Sequence, residues 1–583
     1  MRRFLAVLWH SKSDPLIASA ALRLGRGECL DVICHSSSAL LMAQDIEAFA
    51  LNTQALSGAI VGDLYYRHGP GKAFDGSPAD VERLTPICRD GTLAKLCWGS
   101  FLLLREHAAG EMIEAYHAPF SSLPVYYVHT REALILSPDA RLLASLAEEP
   151  VGINWHSVAT QLAFDDFAFR NTCLTGIREL RGGEVLEWQQ NTAPAARFIW
   201  DPWQHASQDF WIEDEASALE LLEREINRCT STRFHGLATP LLDLSGGLDS
   251  SILAAMVSSS KIDVRAVNMF AEATEGDERK YAGSVAEHLG ITLTQAEPSA
   301  EHVDVRRCAS PSLPRPHARS FVQEIDRLTL AAAPDAKAFI NGGGGDAVFC
   351  HLQSSGPAVD VLLSKRGIGG FLRTVDDVAS AAHVSFWVGL RKAIAKSVRR
   401  HEKVWLRADP AFLTPDSLLS PSDNELPWPP PHKDARPGKL EHVRGIYSSC
   451  FNMHGFARSG DLKAVYPMLS QPLIEACLRI PTWMWLRQGH DRYLARKIAA
   501  KWLPAHVAWR QSKGGLGQLQ RDVYRLNKDA IREMLLDGAL RKSALLDRAA
   551  IEAQLAPESD LTSKQFARLL RIADFEAWAQ HWT

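Results

Sequence analysis

The residues able to do chemistry in this chain gather in two short glycine turns. The first reads Ser245, Gly246, Gly247, Leu248, Asp249, Ser250, and it follows an apolar run ending at Leu244. A helical pattern starts at once, with Ile252, Leu253, Met256 and Val257 on one face. Two glycines let backbone N–H groups approach an anion, and a helix N-terminus adds unpaired donors and partial positive charge. Asp249 would repel a phosphate there unless a divalent cation bridges carboxylate and phosphate. The second turn, Asn341, Gly342, Gly343, Gly344, Gly345, Asp346, repeats that logic after a short apolar run. Asp249 and Asp346 are therefore expected to hold Mg²⁺ on bound phosphates. Leu244, Ser245, Gly246, Gly247, Leu248, Asp249, Ser250, Asn341 and Gly342 are expected to line the nucleotide. Val267, at the end of the next apolar run with Asn268, is expected to meet the adenine.

These turns need a parallel sheet behind them. From residue 239 onward strand patterns (239–244, 264–270, 338–341) alternate with helical ones (248–257, 278–289, the latter closed by Gly290), which predicts a parallel sheet covered by helices. Asp277 reads as the cap of the second of these helices. The first 200 residues read differently, as short strands near 59–62, 100–104, 125–128 and 133–136, predicting packed antiparallel sheets. Residues 1–9 read as a first strand, the apolar run being too short for a signal peptide. The texture changes near 200–203, and a charged helix is expected at 213–233. The boundary is placed at 205, giving a domain of 1–205 and a second of 206–583 that ends in a long helical extension. Residues 426–431, Leu-Pro-Trp-Pro-Pro-Pro, read as a surface connection.

Composition narrows the class. With 583 residues, 46% hydrophobic and 23% charged, the chain is an ordinary globular protein. A formal net charge of −4 gives no global field to recruit nucleic acid or an anionic membrane. No apolar stretch approaches the ~20 residues that span a bilayer. The 10 cysteines form no CxxC pair, which points to reduced thiols and a cytoplasmic protein.

The Ser-Gly-Gly-Leu-Asp-Ser turn lacks the Walker spacing and resembles the pyrophosphate loop of ATP pyrophosphatases. With the second turn and the segments 465–469, 492–497 and 503–515, the chain resembles the synthetase half of the asparagine synthetase family. That resemblance implies ATP cleavage to AMP and pyrophosphate, and assigns Lys513 to phosphate in the transition state. Residues 117–127 and 172–188 resemble the family's glutaminase half. Active members carry a cysteine after the initiator Met; here Arg2 stands there, so no thioester with glutamine is expected. The fold expected is thus a degenerate glutaminase-like α+β domain followed by an α/β ATP-pyrophosphatase domain.

The Asn-Gly-Gly-Gly-Gly-Asp turn and the helical C-terminal part resemble the lasso peptide cyclase branch. That branch implies a precursor peptide as substrate, with a leader-peptide-binding protein and a leader protease as partners. The alternatives are a β-lactam-synthetase-like or other small amide ligase, an asparagine synthetase using free ammonia, or a non-catalytic scaffold. His317 and Arg319 are weighed as a proton acceptor and a carboxylate binder against plain structural roles. Trp483 and Trp485 are expected in the core.

Overall fold

The computed structural model describes residues 3–10, 16–52, 57–69, 71–89, 92–106, 112–271, 277–398, 406–418, 421–422, 425–454, 462–512, 514–556 and 562–583. Three sheets organise them. The first is antiparallel, in the spatial order Arg178–Glu179, Tyr126–His129, Ala133–Ser137, Arg3–Trp9, Ala39–Gln44, Asp31–His35. The second is also antiparallel, in the order Ala195–Phe198, Glu184–Gln189, Met112–His117, Cys97–Glu106, Ser57–Tyr66, Ala48–Asn52.

The side-chain alternation of the strand Arg3–Trp9 shows why the two sheets stack. Phe4, Ala6 and Leu8 point into a core shared with Val61, Leu102, Leu104 and Leu186 of the second sheet. Leu5, Val7 and Trp9 point the other way, where Ala18, Ala21, Leu142 and Leu143 of flanking helices cover them. A strand buried on both faces has no polar side, and this one is apolar at every position from Phe4 to Trp9. The expected packed antiparallel sheets are present.

The third sheet is parallel throughout, in the order Thr292–Ala296, Arg265–Met269, Pro240–Asp243, Ala338–Ile340, Lys463–Val465. Its fifth strand comes from a three-residue run too short to register as a periodic pattern. The chain runs outward in one direction from Pro240–Asp243 and then returns to its other side at Ala338–Ile340. These two neighbouring strands flank the point where the strand order reverses, the place where α/β sheets open a crevice at their carboxyl ends. Each of them ends in one of the two glycine turns. The helices Leu248–Ser259 and Arg279–Leu289 follow the first two strands, the second closed by Gly290 at φ +69°. The helix expected at 213–233 runs Glu215–Phe234.

One expectation fails. Residues 426–431 are not a surface connection, because Leu426, Pro427 and Trp428 are buried. Trp428 is fully enclosed, its ring centroid 5.2 Å from Phe167 and 5.3 Å from Tyr447. Arg181 donates to the Leu426 carbonyl, and Trp203 Nε1 donates to the Pro429 carbonyl at 2.7 Å. The chain bends through 426–428 and delivers one large side chain between Phe167 and Tyr447.

Buried histidine gives the fold a pH signature. His442, on the helix Pro437–His454, has Nε2 3.0 Å from the Val348 carbonyl, and burial pushes its pKa down to about 3. In the unfolded chain it takes up a proton below about 6.5, and in the folded chain it does not. Its contribution is therefore retained above 6.5 and lost as pH falls, by about 1.4 kcal/mol per pH unit between 6.5 and 5. Thermal melts of wild type and His442→Gln at pH 7 and pH 5 should show the variant losing less Tm on acidification.

Candidate active site at the strand ends of the parallel sheet

The first turn is built from close backbone approach. Leu244 is fully buried, and its carbonyl accepts from Asn268 Nδ2 at 2.9 Å, which ties the turn to the neighbouring strand. Gly246 sits at φ +70°, and a Cβ there would lie 2.5 Å from the Ala282 nitrogen and 2.7 Å from the Tyr281 carbonyl carbon. Only glycine combines that conformation with that contact. Gly247 caps the helix Leu248–Ser259 in extended conformation with no side-chain cap bond. Ser245 Oγ lies 3.0 Å from Ser250 Oγ and accepts from the Gly247 N–H at 3.3 Å. The turn thus offers hydroxyls and first-turn N–H groups together, with Asp249 in that same first turn.

The second turn is locked onto the first. Asn341 Nδ2 donates to Asp243 Oδ2 at 2.7 Å, and Asn341 Oδ1 accepts from the Gly343 N–H at 2.6 Å. A Cβ on Gly342 would lie 3.0 Å from the Ser250 nitrogen, and one on Gly345 would strike the Asp249 carboxylate. The glycine run is therefore no loose loop; it lets the two turns touch. That contact brings Asp249 and Asp346 together as the sequence predicts.

Between the two carboxylates stands a cation the sequence reading did not assign. Arg492 Nη1 pairs with Asp346 Oδ1 and lies 3.3 Å from Asp249 Oδ2, and Arg492 Nε lies 3.3 Å from Asp491 Oδ2. Asp491 is held by Arg496 at 2.6 Å and by His351, and these partners keep its carboxyl well below the usual range. Arg492 is the N-cap of the helix Tyr493–Ala499, at φ +50°. A positive side chain at a helix N-terminus opposes the helix dipole, and that mismatch was the available signal that it serves something else. The position between the turns thus accepts positive charge flanked by two carboxylates, and Asp249 and Asp346 fit a magnesium ion carried on a triphosphate.

Lys513 lies outside the described residues. Its neighbours are tied to the first turn: Arg510 lies 3.3 Å from the Gly246 carbonyl and 3.2 Å from Glu278, with its guanidinium 4.0 Å over the Tyr281 ring. The Gly514 N–H donates to Glu278 Oε1 at 3.1 Å. Glu278 stands directly before the helix Arg279–Leu289 without a side-chain capping bond, and Asp277 supplies that bond, as expected of it. Asp277 accepts from the Arg279 N–H at 3.0 Å and pairs with its guanidinium.

Beside the first turn opens a cavity of about 220 Å³. Val267, Met269, Phe270, Phe321, Phe339 and Leu516 give it apolar walls, and Asp243, Ser245 and Asn341 give it a polar edge at the turns. A flat aromatic base bound there would place its phosphates over the glycines, and Val267, inside the strand Arg265–Met269, is one of the apolar walls it would meet. Val267→Arg should fill this space with a long side chain and weaken ATP binding by at least about tenfold, through lost apolar contact and exclusion of the base. Fluorescent-nucleotide titration measures it.

The remaining candidates settle as structure. His317 is fully enclosed, with Nε2 2.5 Å from the Phe451 carbonyl, and burial holds its pKa well below the ordinary value. Arg319 faces Asp165 at 3.9 Å, and residues 315–321 precede the helix Val322–Ala332 without joining it. Trp485 is in the core, and Trp483 packs edge-on against Trp211 at 5.3 Å. Among the described residues no helix is long and apolar enough to cross a membrane.

The family model for asparagine synthase matches residues 221–412 and 456–580, more than half of the chain. No curated protein matches. Among solved structures, the glutamine phosphoribosylpyrophosphate amidotransferase from B. subtilis complexed with ADP and GMP is 10% identical, covering 52% of this chain and 83% of its own, with a TM-score of 0.21. A structure of the allosteric regulatory enzyme of purine biosynthesis is 8% identical, covering 52% and 82%, also at 0.21. Both glycine turns and the whole cavity lining fall inside the matched residues, so the chain belongs to the asparagine synthase family and is an ATP-dependent ligase that makes amide bonds.

Proposed function

We propose that this protein is a lasso peptide cyclase: an AMP-forming ligase that closes a macrolactam between a peptide's N-terminal amine and one of its own Asp or Glu side chains. The observation that carries the adenylating part is the meeting of the two glycine turns, which brings Asp249 and Asp346 onto one guanidinium, with Ser245 and Asn341 of the same turns lining the neighbouring cavity. In this reading residues 1–205 are a degenerate glutaminase-like domain and 206–583 the adenylating one. The adenine rests against Val267, and the N–H groups and hydroxyls of residues 245–250 hold the departing phosphates. Asp249 and Asp346 would hold Mg²⁺, which neutralises the charge of leaving pyrophosphate when bound. Lys513 adds a second cation.

A carboxylate oxygen of the substrate attacks the α phosphorus, the α–β bond breaks, and pyrophosphate leaves. The amine nitrogen then attacks the acyl carbon, AMP leaves, and one proton is released. Holding both ends of one peptide beside the acyl adenylate makes ring closure an oriented, unimolecular step.

The amine is not ammonia from glutamine in this reading. The strand Arg3–Trp9 carries no cysteine, and Arg3 at its start is engaged by Glu28 and Gln44, both at 2.8 Å. Burial raises the Cys88 thiol to about 11 and the Cys173 thiol to about 12, so neither is a ready nucleophile. The peptide substrate rests on the Asn-Gly-Gly-Gly-Gly-Asp turn and its resemblance to the cyclase branch, with a leader-binding protein, a leader protease and a cytoplasmic setting as its expected context. A β-lactam-type ligase would share every feature of the nucleotide site.

The nucleotide products decide the adenylating step. ³¹P NMR of turnover should show AMP and pyrophosphate in equal amounts. ADP and inorganic phosphate would overturn it.

A further inference from the structure

The structure gives Arg492 a place that a bystander would not hold. It stands between Asp249 and Asp346, one carboxylate from each glycine turn, and it is nearly buried at 11% side-chain exposure. Two carboxylates brought this close repel one another, and the repulsion grows as water is excluded. A guanidinium between them relieves it. The position is costly to build: the residue has a left-handed backbone, and its charge opposes the dipole of the helix it caps.

The geometry points to Arg492 as a positioning residue that occupies the metal position in the nucleotide-free protein, holding the two turns together and shielding their carboxylates until Mg²⁺ arrives on a triphosphate. This rests on Asp249 and Asp346 being the magnesium ligands. Metal alone must displace a guanidinium already paired to both carboxylates. Metal arriving with ATP brings phosphate oxygens that can take over the displaced guanidinium, since a planar fork suits phosphate as it suits carboxylate. Binding of metal and nucleotide is thereby coupled.

The same residue links the metal position to the segment around Lys513. Arg492 touches Asp491, Asp491 holds Arg496, and Arg496 Nη1 donates to the carbonyls of Ala508 at 3.0 Å and Arg510 at 2.7 Å. Arg510 in turn reaches the Gly246 carbonyl. Displacing Arg492 therefore acts on a chain of contacts that returns to the first turn.

The test uses Mn²⁺ as the probe, titrated into the full chain and read by electron paramagnetic resonance, with no peptide present. Without nucleotide, Arg492→Gln should bind Mn²⁺ at least about tenfold more tightly than wild type. Arg492→Lys keeps the charge but not the fork, and should shift affinity the same way by a smaller factor. With α,β-methylene-ATP added, wild type should gain far more Mn²⁺ affinity than Arg492→Gln does. A Mn²⁺ affinity in both variants equal to wild type, or a nucleotide effect unchanged by the substitution, would overturn the assignment. Arg487→Gln, an exposed arginine nearby in sequence paired with Glu215, serves as the control for general charge loss. Failure of peptide cyclisation leaves this readout intact, so the two proposals fall separately.

Discussion

Asp249→Ala should lower the rate of pyrophosphate release by about a thousandfold, the equivalent of roughly 4 kcal/mol of lost stabilisation of the leaving phosphates. Asp249 belongs to the first turn of a helix whose N–H groups face the phosphate position, so its only useful charge there is one shared with a cation. The fold should survive. Arg492 keeps its pairs with Asp346 and Asp491 when Asp249 is removed, so no guanidinium is stranded. Asp346→Asn should fall by a similar factor, because the second carboxylate comes from the other turn and cannot be replaced by the first. Near-normal turnover by either variant, at saturating Mg²⁺ and with an unchanged Tm, would remove both residues from the metal role. Lys513→Met is expected to abolish cyclisation likewise, through charge rather than folding.

Gly246→Ala should cost about a hundredfold in AMP formation. Two effects combine. A left-handed backbone costs a residue bearing Cβ about 1–2 kcal/mol. The added carbon also meets backbone at Ala282 and Tyr281, which cannot swing aside as a side chain could. The turn must therefore move, and with it the N–H groups that define the phosphate position. Gly283→Ala, on the neighbouring helix Arg279–Leu289, is the matched control: no atom lies within 4 Å of its added Cβ. It should leave AMP formation unchanged and gain up to about 1 kcal/mol from helix propensity. Equal loss in both variants would mean that the close approach at Gly246 is not what shapes the site.

The site was legible where its determinants are local. A glycine turn between an apolar run and a helical period announces itself over about ten residues, and both turns did so. Asp249, Asp346 and Asn341 stand just past a strand end or in a first helical turn, positions that periodicity can mark, whereas Val267 lies inside the strand Arg265–Met269. Arg492 was not legible because its meaning is tertiary: nothing within its own segment says that two carboxylates more than a hundred residues upstream face it. Glu278 and Arg510 are hidden for the same reason, as two ends of one contact across the fold.

Trp428 misled for a different reason. Proline flanks read as exposure, whereas here they border a bend whose single large side chain is buried. The strand Lys463–Val465 went unseen because three residues cannot establish a period; its identity comes from pairing with Ala338–Ile340. The glycine run 342–345 shows the converse. Its composition suggests looseness, and the structure uses all four glycines for close contact, with Ser250, Met453, Leu469 and Asp249 in turn.

The most direct test of the central claim is mass spectrometry of a leader-free precursor peptide encoded beside this protein, incubated with it, ATP and Mg²⁺. The account predicts loss of one water, ~18 Da, from the peptide, with one AMP formed per ring and no loss when the acceptor Asp or Glu is replaced by Asn or Gln. An unchanged peptide mass, together with AMP formed only when a small amino acid is supplied, would contradict the macrolactam assignment and leave a small-molecule amide ligase in its place.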